Sequence, residues 1–125
     1  MTSPDLERLM LHPFPPSPLP THSLMQPLSS AFAIAEDAEE MSFTFESWWV
    51  ERVYEGVAYF FRWTGNTRAT VLLVIDRDRV THVECQGCGG TKIEGSEFQP
   101  IGRVLQELCH QAGLRLWEHD RAREH

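Results

Sequence analysis

Residues 57–75 read VAYFFRWTGNTRATVLLVI, which is two apolar runs on either side of a short polar segment. Both runs are rich in β-branched and aromatic residues, a composition typical of β-strands. The polar segment contains Gly65 and Asn66, so the pattern predicts a hairpin. The second run, residues 69–75, is apolar at nearly every position, so neither of its faces suits water. We therefore expect it to be a central strand covered on both faces.

The sequence after this hairpin predicts one more strand and then a helix. Residues 76–79 (DRDR) indicate a turn, and residues 80–85 indicate a strand that would complete an antiparallel meander of three or four strands. Apolar residues then recur at spacings of three and four from residue 98 to residue 112, which predicts one C-terminal amphipathic helix. Residues 114–117 predict a last short strand or an apolar segment that packs back on the domain.

The predicted helix has recognisable signals at both ends. Ser96 and Gln99 have the spacing of a capping box, in which each side chain binds an unpaired backbone amide of the first turn. Pro100 would fall in that first turn, where its missing N–H costs least. Gly113 suits the left-handed residue that commonly follows a helix. We therefore expect the helix to open at Ser96 and to stop before Gly113.

The first 40 residues differ from the rest in composition. Seven of the eight prolines lie among the first 30 residues, and proline disfavours both ladder strands and long helices. A short helix capped by Ser29 or Ser30 is the one regular element that this segment suggests. We predict that residues 1–40 form a largely disordered, Pro-rich tail and that residues 41–125 form a small α+β domain. Residues 42–53 favour a strand, with a helix as the rival interpretation.

Charge and composition narrow the class of protein. The net charge is −7, and residues 1–40 hold six acids and one base. A general nucleic-acid binder needs a basic face, so we expect no nucleic-acid partner. No apolar run approaches the ~18 residues of a membrane helix, so we also expect no membrane association. An odd number of cysteines and the acidic residues within residues 1–11, where a signal peptide would be basic and apolar, predict a cytoplasmic protein.

Residues 85–90 read CQGCGG and place two thiols in a glycine-rich turn between a predicted strand and the predicted helix. The pattern Cys85-x-x-Cys88-Gly89 resembles the thiol knuckle of zinc-ribbon and treble-clef proteins. The resemblance covers about residues 80–113 of this chain. It implies that both thiolates face one zinc ion and that backbone amides of the turn point at sulfur.

The zinc-ribbon and treble-clef families supply a second ligand pair, for which this chain offers Cys109, His110 and His119. At about 100° per residue, Cys109 falls at the edge of the apolar stripe of the predicted helix, whereas His110 points to solvent. The zinc set that the resemblance implies is therefore Cys85, Cys88, Cys109 and His119, and the sequence gives no geometry for His119. Cys109 also fits a small buried hydrophobe, and the turn also fits a structural knuckle without metal.

Other chemistry finds no support in the sequence. It has no phosphate-binding loop, no G-x-S-x-G or H-E-x-x-H motif and no pair of carboxylates on one apolar element. The aromatic residues exceed what one small core readily hides, which predicts an interaction face for a protein partner or for a homodimer. We expect a non-enzymatic module for protein–protein interaction, stabilised by the zinc knuckle. Two alternatives are a thiol-dependent redox protein that uses Cys85 and Cys88, and a nucleic-acid-binding zinc module.

Overall fold

The structure, a computed structural model, describes residues 14–42, 52, 53 and 55–116. Within this part the chain forms one five-stranded sheet and two α-helices, an α+β architecture as the sequence predicts. In chain order the elements are β1 (Met25–Pro27), α1 (Ala31–Met41), β2 (Ala58–Thr64), β3 (Arg68–Asp76), β4 (Arg79–Gln86), α2 (Gln99–Gln111) and β5 (Arg115–Leu116). Two short 3₁₀ turns, Cys88–Gly90 and Gly95–Glu97, connect β4 to α2.

The order of the strands in the sheet follows their order in the chain. β1 to β4 pair antiparallel, and β2, β3 and β4 form the predicted meander. β5 pairs parallel with β4, with Leu116 opposite Val80, so the sheet is mixed and the prediction of a wholly antiparallel sheet is wrong. The cause is α2, which crosses the sheet and returns the chain to the start of β4. The helix predicted as C-terminal is therefore a crossover between two strands, and α1 is a second helix.

β3 is the central strand, and both of its faces are covered as predicted. Val71 and Leu73 pack on the side of α2, while Leu72 packs with residues of α1, because successive side chains of a strand point to opposite faces. All three are at most 5% exposed. The core between the sheet and α2, called here the α2 core, is the larger and includes Met25, Phe61, Trp63, Val80, Cys85, Ile101, Leu105 and Cys109.

The described part of the predicted tail, residues 14–40, packs on the sheet. β1 pairs with β2, and the side chains of Phe14, Leu19 and Met25 are at most 8% exposed. This differs from the prediction of a largely disordered segment. Proline is compatible with a short edge strand and with irregular chain, so proline density did not prevent the apolar residues between the prolines from being buried. Residues 1–13 lie outside the described residues.

The two helices begin in different ways. Ser30 caps α1 by accepting a hydrogen bond from the N–H of Ala33 at 3.1 Å, one of the two caps that the sequence suggests. The residue that precedes α2 is Phe98, which has no side-chain cap. Ser96 lies inside the 3₁₀ turn before the helix, so the predicted capping box of Ser96 and Gln99 is not formed.

The apolar stripe of α2 faces the sheet as predicted, and its fully buried residues are Ile101, Leu105, Leu108 and Cys109. Gly113 follows the helix with a φ of +74°, the left-handed conformation that the sequence predicts there. In the described ranges, no helix is long and apolar enough to cross a membrane. Of residues 42–53, for which the sequence favours a strand, the structure describes Ser42, which follows α1, and Arg52 and Val53, which are helical as in the rival interpretation. The remaining residues lie outside the described part, and for them the strand stays a prediction.

Candidate functional site

The two cysteines of the CxxC turn differ in environment. Cys85, near the end of β4, is 3% exposed and packs in the α2 core, as does Val71 opposite it in β3. Cys88 lies in the following 3₁₀ turn and is exposed. That turn lies beside α1, the helix on the other face of the sheet. One thiol is therefore enclosed by apolar side chains, and the other is open to solvent.

The backbone of this turn is held by its own hydrogen bonds. The N–H of Gly87 donates to the carbonyl oxygen of Thr91 at 2.7 Å, and the N–H of Gly90 donates to the carbonyl oxygen of Gly87 at 3.0 Å. Gly89 and Gly90 have φ values of +75° and +79°, which favour glycine. A Cβ on Gly87 would lie 2.9 Å from Cδ1 of Ile93. Backbone conformation and packing thus account for all three glycines.

Cys109, the third predicted ligand, lies in the α2 core at the end of α2 that leads into β5, whereas Cys85 lies near the far end of β4. It is near the C-terminal end of α2, and its carbonyl oxygen accepts a hydrogen bond from the N–H of Leu114, just before β5. β5 lies beside Val80, whereas Cys85 is five residues further along β4, or ~16 Å of strand. Burial raises the pKa of the Cys109 thiol to about 11, so this thiol releases its proton to a metal less readily than an exposed thiol does.

Three members of the predicted zinc set, Cys85, Cys88 and Cys109, lie in the described part of the chain, and the fourth is His119. Across the described residues, no group of three His, Cys, Asp or Glu side chains stands where it could hold a metal ion. His119 lies outside those residues, so the set of four stays a prediction. His110 is exposed on α2, as its helical position predicts.

A buried carboxylate that the sequence did not single out joins α1 to the sheet. Asp37 is 4% exposed and accepts hydrogen bonds from the guanidinium of Arg68 and the hydroxyl of Thr70, both in β3. Glu40, one turn later, accepts from Arg62 and from Arg68, each at 3.2 Å. The sequence contained one signal of this cluster, the acidic residue Asp37 on the apolar face of the predicted helix. Two acids thus face two arginines, and both oxygens of the buried carboxylate of Asp37 accept hydrogen bonds within the cluster.

In the described part of the chain, the outer edge of β4 is paired at both ends and has no backbone partner between them. At one end Arg79 and Val80 pair with β5. At the other end Ile93 donates its N–H to the carbonyl oxygen of Cys85 at 3.0 Å. Between these points, residues 81–84 have no outer backbone partner in the described part of the chain. This open stretch is called the edge gap below.

Val83 presents its backbone to the edge gap. In an antiparallel ladder, neighbouring residues alternate between bonding to the partner strand and pointing away from it. The carbonyl group of Cys85 points away from β3, toward Ile93. Val83 lies two residues earlier in β4, so its N–H and C=O also point away from β3. An unpaired N–H and C=O on the edge of a sheet form a template for another strand.

A cleft of about 520 Å³ opens at the edge gap, between β4 and the chain that leads into α2. Its apolar lining comes from Val83, Ile93 and Phe98, and its charged lining from Glu84, Lys92 and Glu94. These charged side chains are 44%, 78% and 74% exposed respectively, so they form the rim. The cleft therefore combines an apolar interior, a polar rim and a stretch of backbone that has no outer partner among the residues that the structure describes.

Comparison of the chain with protein-family models found no matching family, and comparisons with curated proteins and with solved structures found no match. The site is therefore defined by its geometry. Sequence reasoning did not find the edge gap, because the gap is defined by two positions along β4, the residues that pair with the described part of β5 and the residue that pairs with Ile93. Neither position has a local sequence signal.

Proposed function

We propose that the protein is a non-enzymatic protein-interaction module that binds an extended segment of a partner protein at the edge gap. The observation that carries this proposal is the backbone of Val83 at the mouth of the cleft, which has no outer partner among the described residues. A partner segment would add to β4 as a strand and would place alternate side chains in the cleft. Main-chain hydrogen bonds would supply affinity, and the cleft lining would supply selectivity.

The edge gap suits a single extended chain better than the edge of a folded sheet. Its four residues span only ~13 Å of strand. β5 limits the gap on the side of Val80, and the chain around Ile93 limits it on the side of Cys85. The edge of a second copy would bring its own flanking elements, which would collide with these limits. A linker or chain end of a partner is therefore the occupant that we propose.

The rim favours a partner segment that alternates apolar and basic residues. The ammonium of Lys92 is 4.0 Å from the carboxylate of Glu94. Nε2 of His82 lies 3.7 Å from Oε2 of Glu84, and the two form an ion pair only when the histidine is protonated. An incoming lysine or arginine would therefore complement Glu84, while apolar side chains on the other face of the strand would enter the cleft.

The experiment is an NMR titration of the isotope-labelled full chain with a capped hexapeptide of alternating valine and lysine. We expect the amide signals of residues 81–84 to shift, with a dissociation constant of about 1 mM or below. Val83→Pro removes the outward N–H and should therefore abolish these shifts. The variant should still fold, because proline is tolerated on an edge strand. Val83→Thr keeps the N–H and should bind like the parent.

The control peptide has the same composition with three valines followed by three lysines. It carries the same charge but cannot place all three valines on one side of a strand, so it should bind weakly. Equal amide shifts with both peptides, or amide shifts spread over acidic residues outside the edge gap, would reject strand addition. A change to a dimeric mass in sedimentation without peptide would instead identify a second copy as the occupant.

The zinc set stays a separate proposal, which rests on the spacing of the CxxCG pattern. The enclosure of Cys85 in the α2 core and the distance to Cys109 do not favour it. The redox alternative for Cys85 and Cys88 and the nucleic-acid alternative also stay predictions, because no described feature favours either over peptide binding.

A further inference from the structure

We infer that Phe98, seated on Gly102 of α2, makes the cleft selective for a partner segment that carries an aromatic side chain beside Val83. The inference rests on the proposed function, because it names the partner residue that the same site would recognise. The subsite in question is the apolar part of the cleft, which Val83, Ile93 and Phe98 line. Phe98 directly precedes α2, and its side chain is half-buried.

Strand geometry directs one partner side chain into this subsite. The side chains of Val83 and Cys85 both pack on the side of α2, because side chains of a strand alternate between its two faces. A residue that pairs with Val83 would point its side chain to the same face, where Ile93 and Phe98 lie. Its two neighbours along the segment would point to the opposite face, which is the face of Glu84.

Gly102 determines where the ring of Phe98 can lie. The N–H of Gly102 donates to the carbonyl oxygen of Phe98 at 2.8 Å, so the two residues are neighbours at the start of α2. A Cβ on Gly102 would lie 3.1 Å from Cε2 of Phe98 and 3.6 Å from Cδ2. One edge of the ring therefore rests on the helix backbone, in the space that a side chain at position 102 would take. Glycine within a helix is unfavourable relative to alanine, and the contact with the ring is a physical reason for it here.

The size of the cleft suits an aromatic side chain. Its volume of about 520 Å³ falls within the range of ~300–1,000 Å³ that is typical of pockets for small organic ligands. An aromatic side chain would bury more apolar area there than valine and would meet the ring of Phe98 in a ring–ring contact. A larger residue at position 102 would turn the ring of Phe98 away from α2 and into the cleft, which would leave less room for the partner.

The test compares two peptides by NMR titration of the isotope-labelled full chain. One is the alternating valine–lysine hexapeptide, and the other has phenylalanine in place of its middle valine. We expect both peptides to shift the amide signals of residues 81–84, and the phenylalanine peptide to bind about tenfold more tightly. In Gly102→Leu this preference should fall to about one. In Gly102→Ala it should be intermediate, because a single Cβ displaces the ring less.

Gln106→Leu is the matched control, because it places the same side chain at an exposed position one turn further along α2. It should keep the tenfold preference. General damage to the site would weaken the binding of both peptides alike, so the ratio of the two dissociation constants reports on the subsite itself. An unchanged ratio in Gly102→Leu, or in Gly102→Ala if the leucine variant does not fold, would overturn the inference.

Titration of the parent protein separates this inference from the proposed function. Equal binding of the two peptides at residues 81–84 would support strand addition and overturn the aromatic subsite. No binding of either peptide would reject the proposed function and the inference with it. A nuclear Overhauser contact between the ring of Phe98 and Hα of Gly102 is expected in the free parent protein, and its absence would overturn the inference without any peptide.

Discussion

The indole N–H of Trp63 donates a hydrogen bond to Oδ1 of Asn66 at 3.0 Å, and Nδ2 of Asn66 donates to the carbonyl oxygen of Glu97 at 3.1 Å. Trp63 is 1% exposed, so its buried donor depends on this asparagine. One side chain thus joins the β2–β3 turn to the 3₁₀ turn that precedes α2. At Gly65 a Cβ would lie 2.3 Å from Cζ2 of Trp63, so only glycine fits beneath the ring.

We expect Asn66→Ala to lower the free energy of unfolding by ~1–3 kcal/mol, because it leaves the buried indole N–H without a partner. Asn66→Asp keeps the acceptor for Trp63 and loses only the donor to Glu97, so it should retain most of the stability. Urea unfolding measures both variants. An equal loss in the two would show that the bond to Glu97, and not the bond to Trp63, dominates.

We expect Asp37→Ala to lower the free energy of unfolding by ~2–4 kcal/mol, because the buried hydroxyl of Thr70 loses its acceptor and the partly buried Arg68 keeps only the exposed Glu40 as its ion-pair partner. Glu40→Ala is the control on the same helix. Its carboxylate is 49% exposed, so its ion pairs should contribute less than ~1 kcal/mol. Urea unfolding of the two variants side by side makes the measurement. Similar losses would mean that burial does not distinguish these carboxylates.

The packing of the Pro-rich segment is tested by Met25→Ala. Met25 is 1% exposed in the α2 core, so we expect a loss of ~2–4 kcal/mol in the free energy of unfolding. Leu24→Ala removes a neighbour that is 36% exposed and should cost less than ~1 kcal/mol. A near-neutral Met25→Ala, measured by thermal and urea unfolding, would restore the prediction that residues 1–40 are a disordered tail.

The cysteine turn makes a prediction for paired serine variants. Cys88 is exposed, so we expect Cys88→Ser to melt like the parent. Cys85→Ser should cost ~1–3 kcal/mol, because it buries a hydroxyl in the apolar α2 core. Native mass spectrometry of the protein purified under reducing conditions reports bound metal. Joint loss of a bound zinc ion and of stability in Cys88→Ser would contradict this expectation and support the zinc set.

The Cys109 thiol makes stability depend on pH in the alkaline range. Burial raises its pKa from 9.0 to about 11, so between these values the unfolded chain releases a proton that the folded chain keeps. The contribution is complete below pH 9, and the free energy of unfolding falls as pH rises, by up to ~1 kcal/mol per pH unit. Cys109→Ala should show a shallower decline from pH 9 to 10 in urea unfolding. The same slope in both proteins would mean that other groups cause it.

Local pattern was enough to predict the meander and α2. The apolar runs of residues 57–75 and the three-and-four spacing of α2 depend on which residues follow one another, and both elements form nearly where predicted. The face of His110 follows from helical geometry in the same way. The capping box failed because the backbone at Ser96 takes a 3₁₀ turn that closes before the helix begins.

The pairing of β1 could not be predicted, because three residues that end in proline have no strand pattern of their own. Met25 is buried because β1 pairs with β2 in the register that places Met25 opposite Trp63. Asp37 is stable in the interior only because Arg68 and Thr70 of β3, some thirty residues later, meet its two oxygens. To predict either case, one would need to know where a partner far away in the sequence lies in the fold.

The sequence by itself determined the α+β class, the central position of β3 and the glycine-dependent turn at residues 87–90, because periodicity and backbone freedom are local properties. Only the tertiary structure decided that β5 runs parallel to β4, that Cys85 and Cys109 both lie in the α2 core and that residues 81–84 have no outer backbone partner among the described residues. Pairing direction, separation in space and an unpaired edge depend on where the crossover helix returns the chain. That return is set by how α2 packs on the sheet.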